Sequence, residues 1–408
     1  MFRKTLFISL LLLVSVFSLA QTETKNKPAV AEQNAQLGFN DSIDRLADDF
    51  IEAYLSIAEP GDYLYTTLGH AAFHLKCPTF DLDYYFSMEG ENRPDAVWQF
   101  LAGKLKMGLV CVTAAEYLET YRAKDRGVTE YKLNLTPMQE IRFWELLDNY
   151  VQTWQDMPYD YYHRSCAMAL VDVFNELVGI QNIHYAEPWS EKFKHTPGEF
   201  VYYQLRESNP WTLSFLRLIA GNEVDKKVSN DRKFLVPADL AETWQKATID
   251  GKYILEAEPI VVLPSTIQYK KTWCTPELVA IILLILAVFS ACSICVRIRW
   301  MKILGTVIDY TILSIVTLLG LFMSYLIFVS NLPCTEWNWL IITFNPLPAL
   351  AWYWRKYWAL PYAGLMIVWI IGALCAPYMI AYSEHLILTS AFAVVLIKQW
   401  KFIKCKKI

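Results

Sequence analysis

The sequence predicts an α+β domain followed by a bundle of five membrane-crossing α-helices. Three observations carry that expectation. Apolar residues make up 54% of the 408-residue chain, and most of the long apolar runs fall within 276–400. Ahead of them, short runs of alternating polarity are interleaved with runs of helical period, the pattern of mixed sheet and helix. At the N-terminus, Arg3 and Lys4 precede an apolar stretch from Leu6 to Phe17 that ends in Ser18-Leu19-Ala20. This is the form of a secretory leader, because the core is short for a span and small residues stand at the cleavage sites. The expected organisation is a leader over 1–20, a polar linker over 21–40, a soluble domain over 41–275 and a membrane domain over 276–408.

Each element has a local reason. Tyr63 to Leu75 reads as a strand, rich in aromatic and β-branched residues, and Leu82 to Phe86 as a second. Trp98 to Leu101 is a short amphipathic element, and Lys106 to Val112 a third strand. Thr113 with Glu116 three residues on forms a capping box for a helix through Arg122. Tyr131 to Leu135 is a fourth strand. Thr136-Pro137 opens a helix to about Gln155, with a capping residue and proline in the first turn. Cys166 to Leu177 reads as a helix, with Met168, Leu170, Val171, Phe174 and Leu177 at helical spacing.

Beyond Pro276, apolar segments occupy roughly 277–296, 303–329, 339–353, 360–382 and 386–399. Basic residues mark alternate connections: Arg297, Arg299 and Lys302, then Arg355 and Lys356, then Lys398, Lys401, Lys404, Lys406 and Lys407. The loops 330–338 and 383–385 contain no Lys or Arg. That alternation predicts five spans with a cytoplasmic C-terminus and an outer soluble domain, Lys270 and Lys271 being a mild exception. Pro346 and Pro348 predict a helix break in the third span, and Asp309 is a charge expected to snorkel or pair.

The net charge of −4 and the lack of a basic domain argue against a nucleic-acid partner. Of nine cysteines, Cys77, Cys111, Cys166, Cys274 and Cys334 fall on the outer side, an odd set unlike a disulfide framework. Cys292 and Cys295 have redox spacing but lie in an apolar span and read as small membrane residues. No His and Cys set has metal-ligand spacing, so neither metal nor cofactor is expected.

The chemistry concentrates on Cys166 and His70. A thiol at a helix N-terminus, paired with an imidazole, is favoured as the nucleophilic thiolate. Such a pair needs a third group to orient the imidazole. Asp83, Tyr85 and Ser87 share one face of the neighbouring strand, and Tyr85 is taken as the third site residue. His74 and His163 are rival bases, His163 being three residues from Cys166. By residue type alone, Cys166 also fits a buried structural thiol and His70 a satisfied strand histidine.

Six stretches together resemble the bacterial Lnb-type family: PGDYLYTTLGHAAFHL, YYFSMEG, LNLTPMQE, MPYDYYHRSC, DKKVSNDRKFLVPADL and NWLIITFNPLPAL. Their order, from about residue 58 to the end, is the specific part. The resemblance implies a permuted papain-like domain, similar to lecithin:retinol acyltransferase, in which the histidine precedes the cysteine. It implies lipoprotein N-acyltransferase activity at the bacterial inner membrane, with His70 as base and Cys166 as nucleophile. The partners would be diacylated lipoproteins, a phospholipid acyl donor and the surrounding lipids. One departure is Arg164-Ser165, where the family shows Asp-Asn. Two alternatives remain: a thiol peptidase or amidase acting on peptidoglycan, and a non-catalytic membrane scaffold.

Overall fold

The computed structural model of the chain describes residues 50–90, 94–163, 165–186, 196–227, 234–267, 272–375 and 383–405. The leader, the linker and Arg164 lie outside these residues.

Among the described residues, the soluble part is built on ten strands. Seven of them form one sheet: β1 (Glu52–Ala58), β2 (His70–Cys77), β3 (Leu82–Gly90), β4 (Lys106–Thr113), β5 (Val128–Lys132), β6 (Met157–Pro158) and β10 (Ile260–Leu263). Their order is β10-β5-β1-β2-β3-β4-β6, and every neighbouring pair is antiparallel. A small second sheet joins β7 (Ile183–His184), β8 (Thr248–Ile249) and β9 (Lys252–Tyr253). The helices of this part are α1 (Ala96–Leu101), α2 (Ala114–Arg122), α3 (Pro137–Thr153), α4 (Cys166–Val178), α5 (Pro197–Leu205), α6 (Pro210–Ile219) and α7 (Pro237–Trp244).

Strand alternation sorts the side chains onto two faces. Phe73, Leu75, Phe86 and Met88 point to one, where they pack with Phe143, Phe174 and Trp244. Ala72 and Tyr85 point to the other, against Tyr117 and Tyr121 of α2. The expected capping box of Thr113 with Glu116 is formed, and the expected cap Thr136 forms a further box with Gln139.

Two strands differ from expectation. The fourth, expected over Tyr131–Leu135, is β5 at Val128–Lys132, three residues earlier, where it pairs with β1. The first begins late. The run expected from Tyr63 becomes a strand only at His70, after a 3-10 turn at Leu64–Thr66. Thr66 and Thr67 hydroxyls donate to the carbonyls of Tyr63 and Leu64, each at 2.9 Å, and draw the chain into the turn. Gly69 then takes φ +88°, and a Cβ there would lie 2.9 Å from the Ala58 carbonyl oxygen. Glycine is what lets the chain turn tightly and present His70 at the very start of β2.

The membrane part contains α8 (Pro276–Cys292), α9 (Arg299–Phe328), α10 (Arg355–Cys375) and α11 (Ser383–Cys405). Among the described residues, the stretches Pro276–Cys295, Arg299–Phe328 and Trp352–Cys375 are long and apolar enough to cross a membrane. The segment expected to be a third spanning helix is broken into a 3-10 turn at Trp339–Ile342, a helical turn at Leu347–Leu350 and a second 3-10 turn at Trp352–Trp354. It lies along α9, with Asn345 against Gly320 and Trp352 against Tyr310. Pro346 and Pro348 explain the break. The Asn345 amide donates to the carbonyls of Ile341 and Ile342, and Tyr362 also donates to Ile342. The irregular backbone is thereby satisfied by protein, the condition for its survival at membrane depth.

Lys398 is not a loop charge. It is buried on α11, its ammonium donating to Asp309 Oδ2 at 2.6 Å and to Ser290 Oγ at 2.5 Å. Gln399 also donates to Asp309, at 2.7 Å. This polar knot ties α8, α9 and α11 together and accounts for Asp309. Replacing one member of a buried pair strands the other charge, at a cost of ~3–5 kcal/mol. Lys398→Met should therefore lower the melting temperature in detergent, and adding Asp309→Leu should restore most of the loss. Equal melting of wild type and Lys398→Met would show that the pair holds nothing together.

Candidate active site

Cys166 is the first residue of α4, where Ser165 caps the helix by accepting from the Met168 N–H at 3.3 Å. The free N–H groups of that first turn favour an anion. His70, the first residue of β2, reaches the same point from the sheet. The two side chains are close enough that each shifts the ionisation of the other, and the N–H groups of Ala71 and Ala167 also favour charge on the sulfur.

The electrostatics are a contest between burial and pairing. Burial opposes ionisation of the Cys166 thiol, but the His70 charge, its hydrogen bond and the two backbone N–H groups outweigh it and lower the pKa. Burial likewise opposes the charge on His70, whose side chain is 16% exposed. Tyr121, Cys166 and Glu89 together overcome that and raise the imidazole pKa well above its ordinary value. The two shifts are of opposite sign and favour a thiolate–imidazolium pair.

The carboxylate beside His70 is Glu89. Its Oε1 lies 3.3 Å from His70 Nε2, off the axis of a hydrogen bond, and accepts from Ser87 Oγ at 3.1 Å. Sequence reasoning ended the candidate face at Ser87. Strand alternation carries it two residues further, and the β2–β3 register, which pairs Ala72 with Ser87, places Glu89 opposite His70.

Tyr85 stands elsewhere. Its hydroxyl donates to Glu130 Oε1 at 2.5 Å, and its ring stacks between His74 and Tyr117. His74 is committed to the same network, with Nδ1 2.8 Å from Glu130 and Nε2 2.5 Å from Asp83. His163 is turned to Asp160, 2.7 Å away, and to Glu223 and Cys334. Of the three histidines proposed as bases, the structure brings His70 to the thiol.

The surroundings of the thiol are aromatic. Tyr159 is close enough that the Cys166 charge, after burial itself, helps raise its phenol pKa. Phe100 packs on both Tyr159 and Tyr161. Tyr161 in turn belongs to a cluster of Leu101 and Ile219 with Leu326 and Leu332 of the membrane part. The thiol therefore lies beside the junction of the two parts. Loop 330–338 clamps that junction: Gly221 N–H donates to the Cys334 carbonyl at 2.5 Å, and the Asn338 side-chain amide donates to the carbonyls of Leu218 and Ala220, each at 2.9 Å. A Cβ on Gly221 would sit 1.9 Å from the Glu336 carbonyl oxygen, so only glycine permits this approach.

The pairing has a pH consequence. A lowered thiol pKa leaves thiolate present below the ordinary range of ~8.5, and losing the imidazole returns it upward. Iodoacetamide should modify Cys166 with a midpoint below that range, and His70→Ala should move the midpoint up. Identical profiles for wild type and His70→Ala would show that the imidazole does not control the thiol.

Two family models match the chain: the Lnb N-terminal periplasmic domain over residues 44–193 and the Lnb transmembrane domain over residues 268–404. Comparison with curated proteins and with solved structures gives no match. With an α+β domain of antiparallel sheet at one end, a helical membrane domain at the other and both models matched in order, the chain belongs to the Lnb family.

Proposed function

We propose that the protein is a lipoprotein N-acyltransferase working through a covalent thioester on Cys166. The histidine on an early strand and the cysteine opening a later helix support a permuted papain-like arrangement. The Cys166 thiolate attacks the carbonyl carbon of a phospholipid acyl ester. The C–S bond forms, the ester C–O bond breaks, and the departing alkoxide takes the proton from His70. The α-amino group of a diacylated lipoprotein then attacks the thioester. His70 accepts a proton from the amine, the C–N bond forms and the thiolate is returned. Cys166, as first helical residue, has no intrahelical acceptor for its own N–H, which is free to face the developing oxyanion, a contribution that can reach ~3 kcal/mol.

The observation that carries this reading is the position of the thiol at the membrane junction, through Tyr159, Phe100 and Tyr161 to Leu326 and Leu332. Both substrates are lipids, and a site continuous with the membrane part suits them. A peptidoglycan amidase with the same pair has no use for that continuity. The basic residues Arg297, Arg299, Lys302, Arg355 and Lys356 support a cytoplasmic face opposite the soluble domain.

The test is mass spectrometry of lipoprotein N-termini in cells lacking other N-acyltransferases. Wild type should give N-acylated termini, and Cys166→Ala should reduce transfer by at least about 10³-fold. Normal triacylation with Cys166→Ala would reject the mechanism. The orienting role is assigned to Glu89 in place of Tyr85. Glu89 is half exposed, so its charge is worth ~1 kcal/mol to the imidazolium, or about fivefold in rate. Glu89→Gln should show that loss in kcat, with Tyr85→Phe unchanged once folded. A larger kcat loss in Tyr85→Phe than in Glu89→Gln would reverse the assignment.

A further inference from the structure

A second cluster of chemically reactive side chains stands outside the Cys166–His70 pair. Asp160 and His163 come from the turn leading to α4, Glu223 from the 3-10 turn Asn222–Asp225, and Cys334 from the membrane-side loop. The ligand atoms of Asp160, His163 and Cys334 all lie within 4.8 Å of one another. His163 Nδ1 is 2.7 Å from Asp160 Oδ2 and 4.0 Å from Cys334 Sγ. Glu223 closes the fourth side, with Oε2 3.7 Å from Cys334 Sγ and Oε1 3.6 Å from His163 Nε2.

We propose that Asp160, His163 and Cys334, with Glu223 beside them, form a binding site for a zinc-class divalent cation at the junction of the soluble and membrane parts. One thiolate, one imidazole and one carboxylate suit three positions of tetrahedral Zn²⁺, with Zn–S near ~2.3 Å and Zn–N or Zn–O near ~2.0–2.2 Å, and the Glu223 carboxylate can turn in as the fourth. Ligand atoms on such a centre stand ~3.3–3.7 Å apart by that geometry. The distances from Cys334 to His163 and Glu223 are close to this, and the shorter His163–Asp160 contact opens by rotation of the exposed imidazole. Binding replaces the His163–Asp160 hydrogen bond and releases the Cys334 proton to solvent.

Two further features support a built site. Cys334 is 5% exposed and adopts φ +59°, a left-handed conformation uncommon outside glycine. The strained backbone aims a buried sulfur at three polar side chains. Among the described residues, His163 is also the basic side chain that Asp160 and Glu223 share, so the cluster carries more negative than positive charge. The chain separations of 63 residues between 160 and 223 and 111 between 223 and 334 explain why no ligand spacing shows in the sequence. A cation here would fix the turn that delivers Ser165 and Cys166 to loop 330–338. The site stands independently of the proposed reaction.

The test uses the full-length protein in detergent, stripped with chelator and titrated with Co²⁺, then Zn²⁺. Wild type should bind one Co²⁺ with a sulfur-to-cobalt charge-transfer absorption, and Zn²⁺ should bleach it because it binds such sites more tightly. The absorption should remain in Cys166→Ala and vanish in Cys334→Ser. His163→Gln should weaken binding by at least about tenfold, the least that losing even an outer partner costs. Chelator should lower the melting temperature of wild type, and Zn²⁺ should restore it. No absorption in the wild type, or absorption that disappears in Cys166→Ala and persists in Cys334→Ser, would overturn the proposal. If Cys334→Ser fails to fold, the Cys166→Ala and His163→Gln spectra decide between the same two results.

Discussion

The contact between Cys166 and His70 favours an ion pair in a place that resists ions. Burial acts against both charges, and the shifts run the other way only because the pair, Tyr121, Glu89 and the N–H groups of Ala71 and Ala167 act together. Each depends on a different part of the fold. The helix start requires the Ser165 cap, the strand start requires Gly69, and Glu89 requires the β2–β3 register. Tyr121 comes from α2, on the opposite face of the sheet from the main core. A slip of one residue in β2 would turn His70 to the wrong face and end the pairing.

The second constraint is the junction. The soluble domain does not hang from a linker beside α8. Leu218 joins the apolar core of the membrane helices, Leu326 and Leu332 pack with Leu101 and Ile219 of the soluble domain, and loop 330–338 closes backbone to backbone on Gly221. Beneath it, the Lys398–Asp309 pair fixes α11 to α9, and the broken segment from Trp339 to Trp354 fills the space along α9. A thiol held beside such a junction can meet a lipid ester without lifting the lipid into water.

Much of this was legible in the residues. Thr113 and Glu116, Thr136 and Pro137, and the apolar period from Met168 to Leu177 specify helices locally, so those elements formed where the pattern places them. The membrane helices followed from length and hydropathy. What escaped was set by local side-chain bonding at one turn and otherwise by tertiary pairing. The hydroxyls of Thr66 and Thr67 converted the start of an apparent strand into a turn. The strand β1 carried no turn signal of its own, yet it occupies the middle of the sheet between β5 and β2. Lys398 resembled a loop charge because its partner, Asp309, is 89 residues away. Glu89 falls on the same face by strand alternation, because β3 runs on to Gly90. Tyr85 shares its face but spends its hydroxyl on Glu130, a partner on β5 that no local pattern indicates.

The central claim is that Cys166 carries an acyl chain between two lipids. The most direct measurement is the intact mass of the full-length protein after incubation with phospholipid vesicles and no lipoprotein acceptor. The account predicts one added acyl chain, mapped to Cys166, released by hydroxylamine and by added diacylated lipopeptide, and absent in Cys166→Ala. An unmodified Cys166 alongside acyl transfer to the lipopeptide would contradict it.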